Sequence, residues 1–194
     1  MPQRYRLGVI IGSVRSGRGG QVVADWFVRE AENFGAFAVD VIDAREYELS
    51  LGFGDALPPK TPPHAQGLTQ ALDEADAFVV VTPEYNHSYP AGLKNLIDWH
   101  HRVWHAKPVG FVSYGGIAGG LRAVEHLRCV FAEVHAVTIR DSVSFANYWE
   151  RYGPGGDWPR EPEGSNLAAK KMLDQLAWWT QALTDAKQQR PYVA

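Results

Sequence analysis

Five short, unbroken apolar runs most constrain what this chain can fold into: "RLGVII" (6–11), "AFAVDVI" (36–42), "AFVVVT" (77–82), "PVGFVSY" (108–114) and "AVTI" (136–139). Continuous runs rich in Val, Ile and Phe suit strands covered on both faces, because a strand with one wet face alternates. Between the runs lie stretches with helical spacing, at 20–33, 64–75, 90–105, 119–132 and 166–187. The last carries Leu167, Met172, Leu173, Leu176, Trp179 and Leu183 on a roughly three-to-four residue spacing. Strand and helix in alternation predict one α/β domain over 1–194, a three-layer sandwich with a five-stranded parallel sheet in the order 2-1-3-4-5. Ligands of such sheets bind beyond the carboxyl ends of the strands, so chemistry is sought just after each run.

Composition excludes several classes of function. The 194 residues are 45% hydrophobic and 21% charged, enough for a real core. A net charge of −3 with scattered basic residues argues against a nucleic-acid partner. No apolar stretch is long enough for a signal peptide or a membrane span, so a cytoplasmic protein with no membrane partner is expected. The single cysteine, Cys129, allows no internal disulfide, and its setting in "HLRCVFAEV" predicts a buried small hydrophobe. Two irregular stretches stand out. Residues 43–63 read as a Pro- and Gly-bearing loop, and residues 141–165 as a lid or a subunit contact, because Phe145, Tyr148, Trp149, Tyr152 and Trp158 are too apolar for a linker.

Three loops at the expected carboxyl edge carry the chemistry. After the first run, "GSVRSGRGG" (12–20) joins strand to helix. Glycines let the backbone approach an anion, free N–H groups at a helix start point at it, Ser13 and Ser16 add hydroxyls, and Arg15 and Arg18 can pair with phosphate oxygens. The loop is neither a Walker A motif nor a dinucleotide fingerprint: Arg18 and Gly19 stand where Lys and Ser/Thr would be needed, and the G-x-G-x-x-G spacing is missing. After the third run, "TPEYNHSYPAGLKNLIDW" (82–99) offers the Tyr85 ring and the Asn86 amide, which suit a planar heterocycle. After the fourth, "SYGGIAGG" (113–120) places four glycines at a helix entry, where N–H groups can face developing negative charge.

The "GSVR" loop, the long "PEYNHSYPAGLKNLIDW" motif and "SYGGIAGG" followed by "LR", in that order, resemble the NAD(P)H-dependent FMN reductases, a flavodoxin-like family that includes azo-, quinone- and chromate-reducing flavoproteins. The resemblance covers residues 5–140. It implies that Ser13, Arg15, Arg18, Gly19 and Gly20 hold the FMN phosphate. It implies too that Pro83, Glu84, Tyr85 and Asn86 border one side of the isoalloxazine, and Ser113, Gly115 and Gly116 the other. The chain departs from the pattern in carrying Arg18 and Gly20 where many members carry Ser and Asn. The expected activity is transfer of two electrons from NADPH or NADH, through FMN, to a small acceptor: a flavin, quinone, azo compound or metal oxyanion. No catalytic side chain is required, Glu84 is expected to organise its turn, and the dipole of the fourth helix to stabilise the reduced ring. The alternative is an FMN-binding electron carrier without nicotinamide activity, against which the mild charge counts. A homodimer or homotetramer is expected, the helix at 90–105 and the aromatic loop supplying contacts.

His101 and His105 fall four apart on one helix face, as two metal ligands can, but no third ligand is evident nearby in sequence. Surface or interface histidines and no metal are therefore expected. Trp178 and Trp179 read as core.

Overall fold

A computed structural model describes residues 4–52 and 62–193. Its sheet is parallel throughout, from β1 (Tyr5–Ile11), β2 (Phe37–Asp43), β3 (Ala77–Pro83), β4 (Pro108–Gly115) and β5 (Val137–Ala146), in the order β2-β1-β3-β4-β5. The five α-helices are α1 (Gly20–Phe34), α2 (Gln66–Glu74), α3 (Ala91–Asp98), α4 (Leu121–Glu133) and α5 (Pro162–Gln189).

The two-residue period of the strands divides the core between the faces of the sheet. Leu7, Val9, Val79, Val81 and Val112 meet Val23 and Phe27 of α1 and Met172, Leu173 and Leu176 of α5. Ile10, Phe78, Val80 and Phe111 meet Leu68 and Leu72 of α2, Leu93, Leu96 and Ile97 of α3, and Leu127 and Phe131 of α4. Strands β3 and β4 are buried along their whole length, which is why they read as unbroken apolar runs.

The structure corrects the sequence reading at several points. Strand β5 runs seven residues past Ile139, to Ala146. It lies at the sheet edge, and a register shift opposite Val109/Phe111 interrupts its pairing with β4, so "RDSVSFA" loses the unbroken apolar look. The irregular stretch of 141–165 therefore shrinks. A 3-10 turn, Tyr148–Arg151, follows β5, and Trp158, 6% exposed, anchors what remains against Trp26 and Phe145. The helix expected over 90–105 stops at Asp98 and resumes as a 3-10 turn at Arg102–Trp104. There the Trp104 indole N–H donates to the His100 carbonyl at 2.6 Å, the acceptor a continuing helix would have given to a backbone N–H.

Cys129 is exposed, because α4 buries Ala123, Val124, Leu127 and Phe131 and residue 129 falls on the opposite side. Trp178 is 63% exposed, and Leu167 lies on the wet face of α5, whereas Trp179 packs partly against the core. Of the loop expected over 43–63, residues 53–61 lie outside the described residues. No helix among the described residues is long and apolar enough to cross a membrane.

Candidate functional site

Strands β1, β3 and β4 are consecutive neighbours, and their carboxyl ends bring the three loops of the sequence reading together. β1 and β3 flank the point where the strand order reverses, the crevice in which open α/β sheets bind ligands.

The first loop is fixed at its roots and open at its tip. The Gly12 N–H donates to Val81 O at 2.9 Å, and the Ser13 hydroxyl, fully buried, shares a 2.7 Å hydrogen bond with the Tyr85 hydroxyl. Val14 lies over Gly92 at the start of α3, where a β-carbon would sit 2.9 Å from Val14 Cγ1. Residues Val14 to Gly17 are exposed, and Gly17 turns the chain at φ 67° with open space around it. Arg15 has no ion-pair partner among the described residues.

Arg18 does the opposite. Its guanidinium forms a two-pronged bridge to Asp43 at the end of β2, with Nη1 at 2.6 Å from Oδ1 and Nη2 against Oδ2, and Nη1 also donates to Ser13 O at 2.5 Å. The side chains are only 8% and 14% exposed. The hydrogen bond to Asp43 raises the Arg18 pKa. Burial pushes the Asp43 carboxyl up, but the bonds from Arg18 and the Arg45 N–H outweigh it and leave the carboxyl below its ordinary range. Arg18 is thus spent on shaping the loop.

Gly19 and Gly20 are required by neighbours. A β-carbon on Gly19 would lie 2.1 Å from the Tyr148 ring, and one on Gly20 would lie 2.6 Å from the Tyr114 hydroxyl. Burial pushes the Tyr114 phenol far up, so it stays protonated. Beyond them α1 begins with no side-chain cap and no acid in its first turn, leaving its first N–H groups and its positive dipole end unanswered.

In the second loop Pro83 ends β3, buried, and pairs with Tyr114 of β4. Tyr85 and Ser88 exchange backbone hydrogen bonds of 2.8 and 3.1 Å around Asn86 and His87, both at positive φ (48° and 75°), a type I′ turn that sets Asn86 at an exposed tip. Glu84 reaches sideways: Oε1 is 2.5 Å from Nη2 of Arg122, and Oε2 accepts from the Arg122 backbone N–H at 3.3 Å. That carboxylate answers the positive end of α4.

In the third loop the buried Ser113 hydroxyl donates to Gly119 O at 2.8 Å, as Ser144 does at 2.9 Å. These bonds clasp a turn in which Gly119 and Gly120 hold φ of 59° and 85°. Gly115 is buried and Gly116 half-buried beside it, and Trp149 lies 3.6 Å from where a Gly116 β-carbon would be. The Asn147 N–H donates to Gly116 O at 3.1 Å, which ties the segment after β5 to this loop.

All twelve sequence-predicted site residues therefore meet at one edge, but they divide. Arg15, Asn86 and the tip of the first loop are exposed and Gly116 is half-buried, whereas Gly115 is buried and Arg18, Ser113 and Glu84 are engaged within the protein. Sequence reasoning gave no site role to Asp43, Tyr114, Arg122, Tyr148 and Trp149, whose contacts with the loops span 25 residues or more, beyond the reach of any local spacing.

Residues 5–150 match the family described as NADPH-dependent FMN reductase. The chain belongs to that family. It is 38% identical over 117 residues to an NAD(P)H-dependent FMN reductase of Schizosaccharomyces pombe, covering 58% of each chain. It is 42% identical over 81 residues to an NAD(P)H:quinone oxidoreductase of Solanum tuberosum, covering 39% of this chain and 42% of the relative. The chain thus spans about half the length of these relatives. The flavoenzyme NAD(P)H:(acceptor) oxidoreductase FerB of Paracoccus denitrificans shares the fold, with a TM-score of 0.73 at 22% identity over 92% of this chain and 98% of that one.

FMN, the cofactor in the family's name, suits these residues. A phosphate dianion needs unanswered N–H groups and an unpaired cation, and α1 with Arg15 supplies both, while Asp43 and Glu84 neutralise the competing positive groups. A planar ring needs flat, side-chain-free backbone at its edges, which Gly115 and Gly116 provide.

Proposed function

We propose that this protein is an NAD(P)H-dependent flavin oxidoreductase that delivers two electrons to a small quinone-type acceptor. The observation that carries this reading is the unanswered α1 N-terminus beside unpaired Arg15, at the strand-order reversal, in a chain of this family.

The tip of the first loop holds the phosphate, with Arg15 and Ser16 reaching it from the exposed turn and Arg18 keeping the loop in shape through Asp43. Gly19 and Gly20 contribute backbone and leave room for Tyr148 and Tyr114. Ser13 fixes the Tyr85 phenol, which holds the ring side of the second loop in place. Pro83, Glu84 and Asn86 form one border of the ring site, with Glu84 anchored to Arg122 and not available as an acid. Ser113, through Gly119, supports Gly115 and Gly116 as the other border. FMN, when held by these residues, would supply two-electron redox chemistry between NADPH or NADH and the acceptor. No side chain has to move a proton to the nicotinamide; the protein binds, orients and keeps the ring face open to each substrate in turn. Ile117 and Trp149, 89% and 54% exposed, rim that face, and self-association through this rim into a homodimer or homotetramer completes the proposal.

The test is the visible spectrum of the purified protein before and after anaerobic NADPH. A flavin band that bleaches supports the reading. A band that persists with NADPH and NADH but bleaches with dithionite would make the protein a carrier, and failure to bind added FMN would remove the cofactor from the proposal.

A further inference from the structure

At the opposite end of the sheet, where β4 and β5 begin, three histidines come together. His105 closes the 3-10 turn before β4, His101 precedes that turn, and His135 lies between α4 and β5. One donor nitrogen from each lies within 4.8 Å of the other two. His105 Nε2 and His101 Nδ1 are 3.0 Å apart, a contact in which one imidazole must present a lone pair. The rings of His105 and His135 have centroids 4.8 Å apart, and those of His101 and His135 5.8 Å. The third ligand, invisible in the sequence around "DWHHRVWH", arrives from 30 residues beyond His105.

The backbone that delivers it is fixed. His135 and Ala106 both hold left-handed conformations, φ 61° and 50°, and the Ala106 N–H donates to His135 O at 2.9 Å. Alanine has no side-chain hydrogen bond to offset that conformation, so the two crossing loops keep it at a cost. The Val137 N–H donates to Lys107 O at 3.0 Å and secures the same crossing. On its outer side His135 Nδ1 lies 3.0 Å from the Tyr192 hydroxyl. That partner fixes the ring and leaves Nε2 for a ligand, the arrangement in which a second contact orients a metal-binding imidazole.

We propose that His101, His105 and His135 bind one divalent transition ion of the Zn2+ class. Tetrahedral nitrogen donors at about 2.0–2.1 Å from zinc stand about 3.3 Å apart, a spacing the 3.0 Å pair already meets and small rotations of the His135 ring bring to the third. Three imidazoles with no carboxylate in the set suit Zn2+, Co2+, Ni2+ or Cu2+ rather than Ca2+ or Mg2+. His101 is exposed, so the fourth position opens to solvent. The eight residues of β4 put the ion roughly 25 Å from the carboxyl edge at about 3.3 Å per residue, so it takes no part in flavin chemistry and fastens the two loops and the C-terminal segment bearing Tyr192.

The experiment uses the untagged, FMN-loaded chain, stripped with a chelator and titrated with Zn2+ by calorimetry and with Co2+ by visible absorption. One ion per chain, with the intense visible bands of tetrahedral Co2+, is expected. His135→Asn keeps a residue that tolerates the left-handed backbone and should weaken Zn2+ binding by about 100-fold or more, while Tyr192→Phe should weaken it about 10-fold, as loss of an orienting partner does. His101→Gln, at an exposed position, provides a ligand deletion with little risk to folding, checked by its melting temperature. No stoichiometric uptake, one ion per two chains, or unchanged affinity in both histidine variants would overturn the site. Flavin content and NADPH oxidation should be the same in all of these variants, so failure of the flavin reading would show in the spectrum and not in the titration.

Discussion

Removing the Asp43 carboxylate should destabilise the fold by about 3 kcal/mol, because it strands Arg18 in a nearly closed setting. A buried pair broken on one side loses about 3–5 kcal/mol, whereas an exposed pair is worth about 1 kcal/mol or less. Arg18 and Asp43, 8% and 14% exposed, belong with the buried pairs, but Arg18 keeps its bond to Ser13 O, which places Asp43→Ala at the low end of that range. For a chain of this size about 3 kcal/mol corresponds to a fall in Tm of roughly 6–12 °C. Urea denaturation of FMN-free protein, with equal m-values, reads the difference directly. The pH dependence supplies an independent check. The folded Asp43 carboxyl is held below its ordinary range, so its contribution is fully present above the unfolded value of about 3.9 and is lost as pH falls through the folded value. The gap between wild type and Asp43→Ala should therefore be constant from about pH 5 upward and close in stronger acid. A gap under about 1 kcal/mol at pH 7, or no coupling to Arg18→Met in a double-mutant cycle, would refute the reasoning.

Three further outcomes are expected. Burial lowers Lys107 to about 8 from an ordinary 10.5, although its ammonium caps the Leu72 and Asp73 carbonyls at 2.9 and 2.8 Å. The unfolded chain binds the extra proton between those values, so stability should rise with pH across that window; Lys107→Met should remove most of the rise in Tm, leaving the part due to Lys187, whose pKa burial also lowers. Arg15→Ala should weaken FMN binding about 10- to 100-fold, the worth of a hydrogen bond to a charged group, with the Tm of FMN-free protein unchanged; a fall in Tm without a fall in affinity would reverse the roles given to Arg15 and Arg18. Gly20→Ala should cost about 1–3 kcal/mol by overpacking against the Tyr114 hydroxyl, and less in a Tyr114→Phe background, where the nearest atoms stand 3.4 Å away; equal losses in the two backgrounds, by urea denaturation, would count against that contact.

The legible parts of the fold were those where one physical demand acts along the chain. Strands β3 and β4 are dry on both faces, so apart from Thr82 and Ser113 near their carboxyl ends they carry no strongly polar side chain, and the sheet announces itself. Strand β5 has the same neighbour but an open edge and a register shift, and its polar residues hid seven of its positions. The break after Asp98 carries no Gly or Pro; it depends on an indole taking the carbonyl of a residue four back, which apolar spacing does not encode. Likewise the convergence of the candidate loops was legible because glycines and cations cluster after strands that a doubly wound sheet sets side by side, but their division of labour was not. Which arginine is free and which is spent is decided by Asp43, 25 residues from Arg18 and brought near by β2 pairing with β1.

That division accounts for Arg18 and Gly20. Arg18 is a cation in a loop proposed to hold an anion, yet its charge is cancelled by Asp43 and its donors are turned inward, so it adds shape rather than attraction. Gly20 gives up a side chain at the helix start, and the space goes to the hydroxyl of Tyr114, while Gly19 yields to the ring of Tyr148. Those two rings meet edge to face at 5.0 Å, and Tyr85 holds the loop from the other side through Ser13. Three tyrosines from three separate elements thus support a loop too rich in glycine to hold its own conformation. Tertiary contacts stand in for local polar capping here, which leaves the first N–H groups of α1 without a side-chain partner among the described residues. An anion-binding loop requires both conditions: rigid enough to present its donors together, and deprived of any internal acceptor that would satisfy them first.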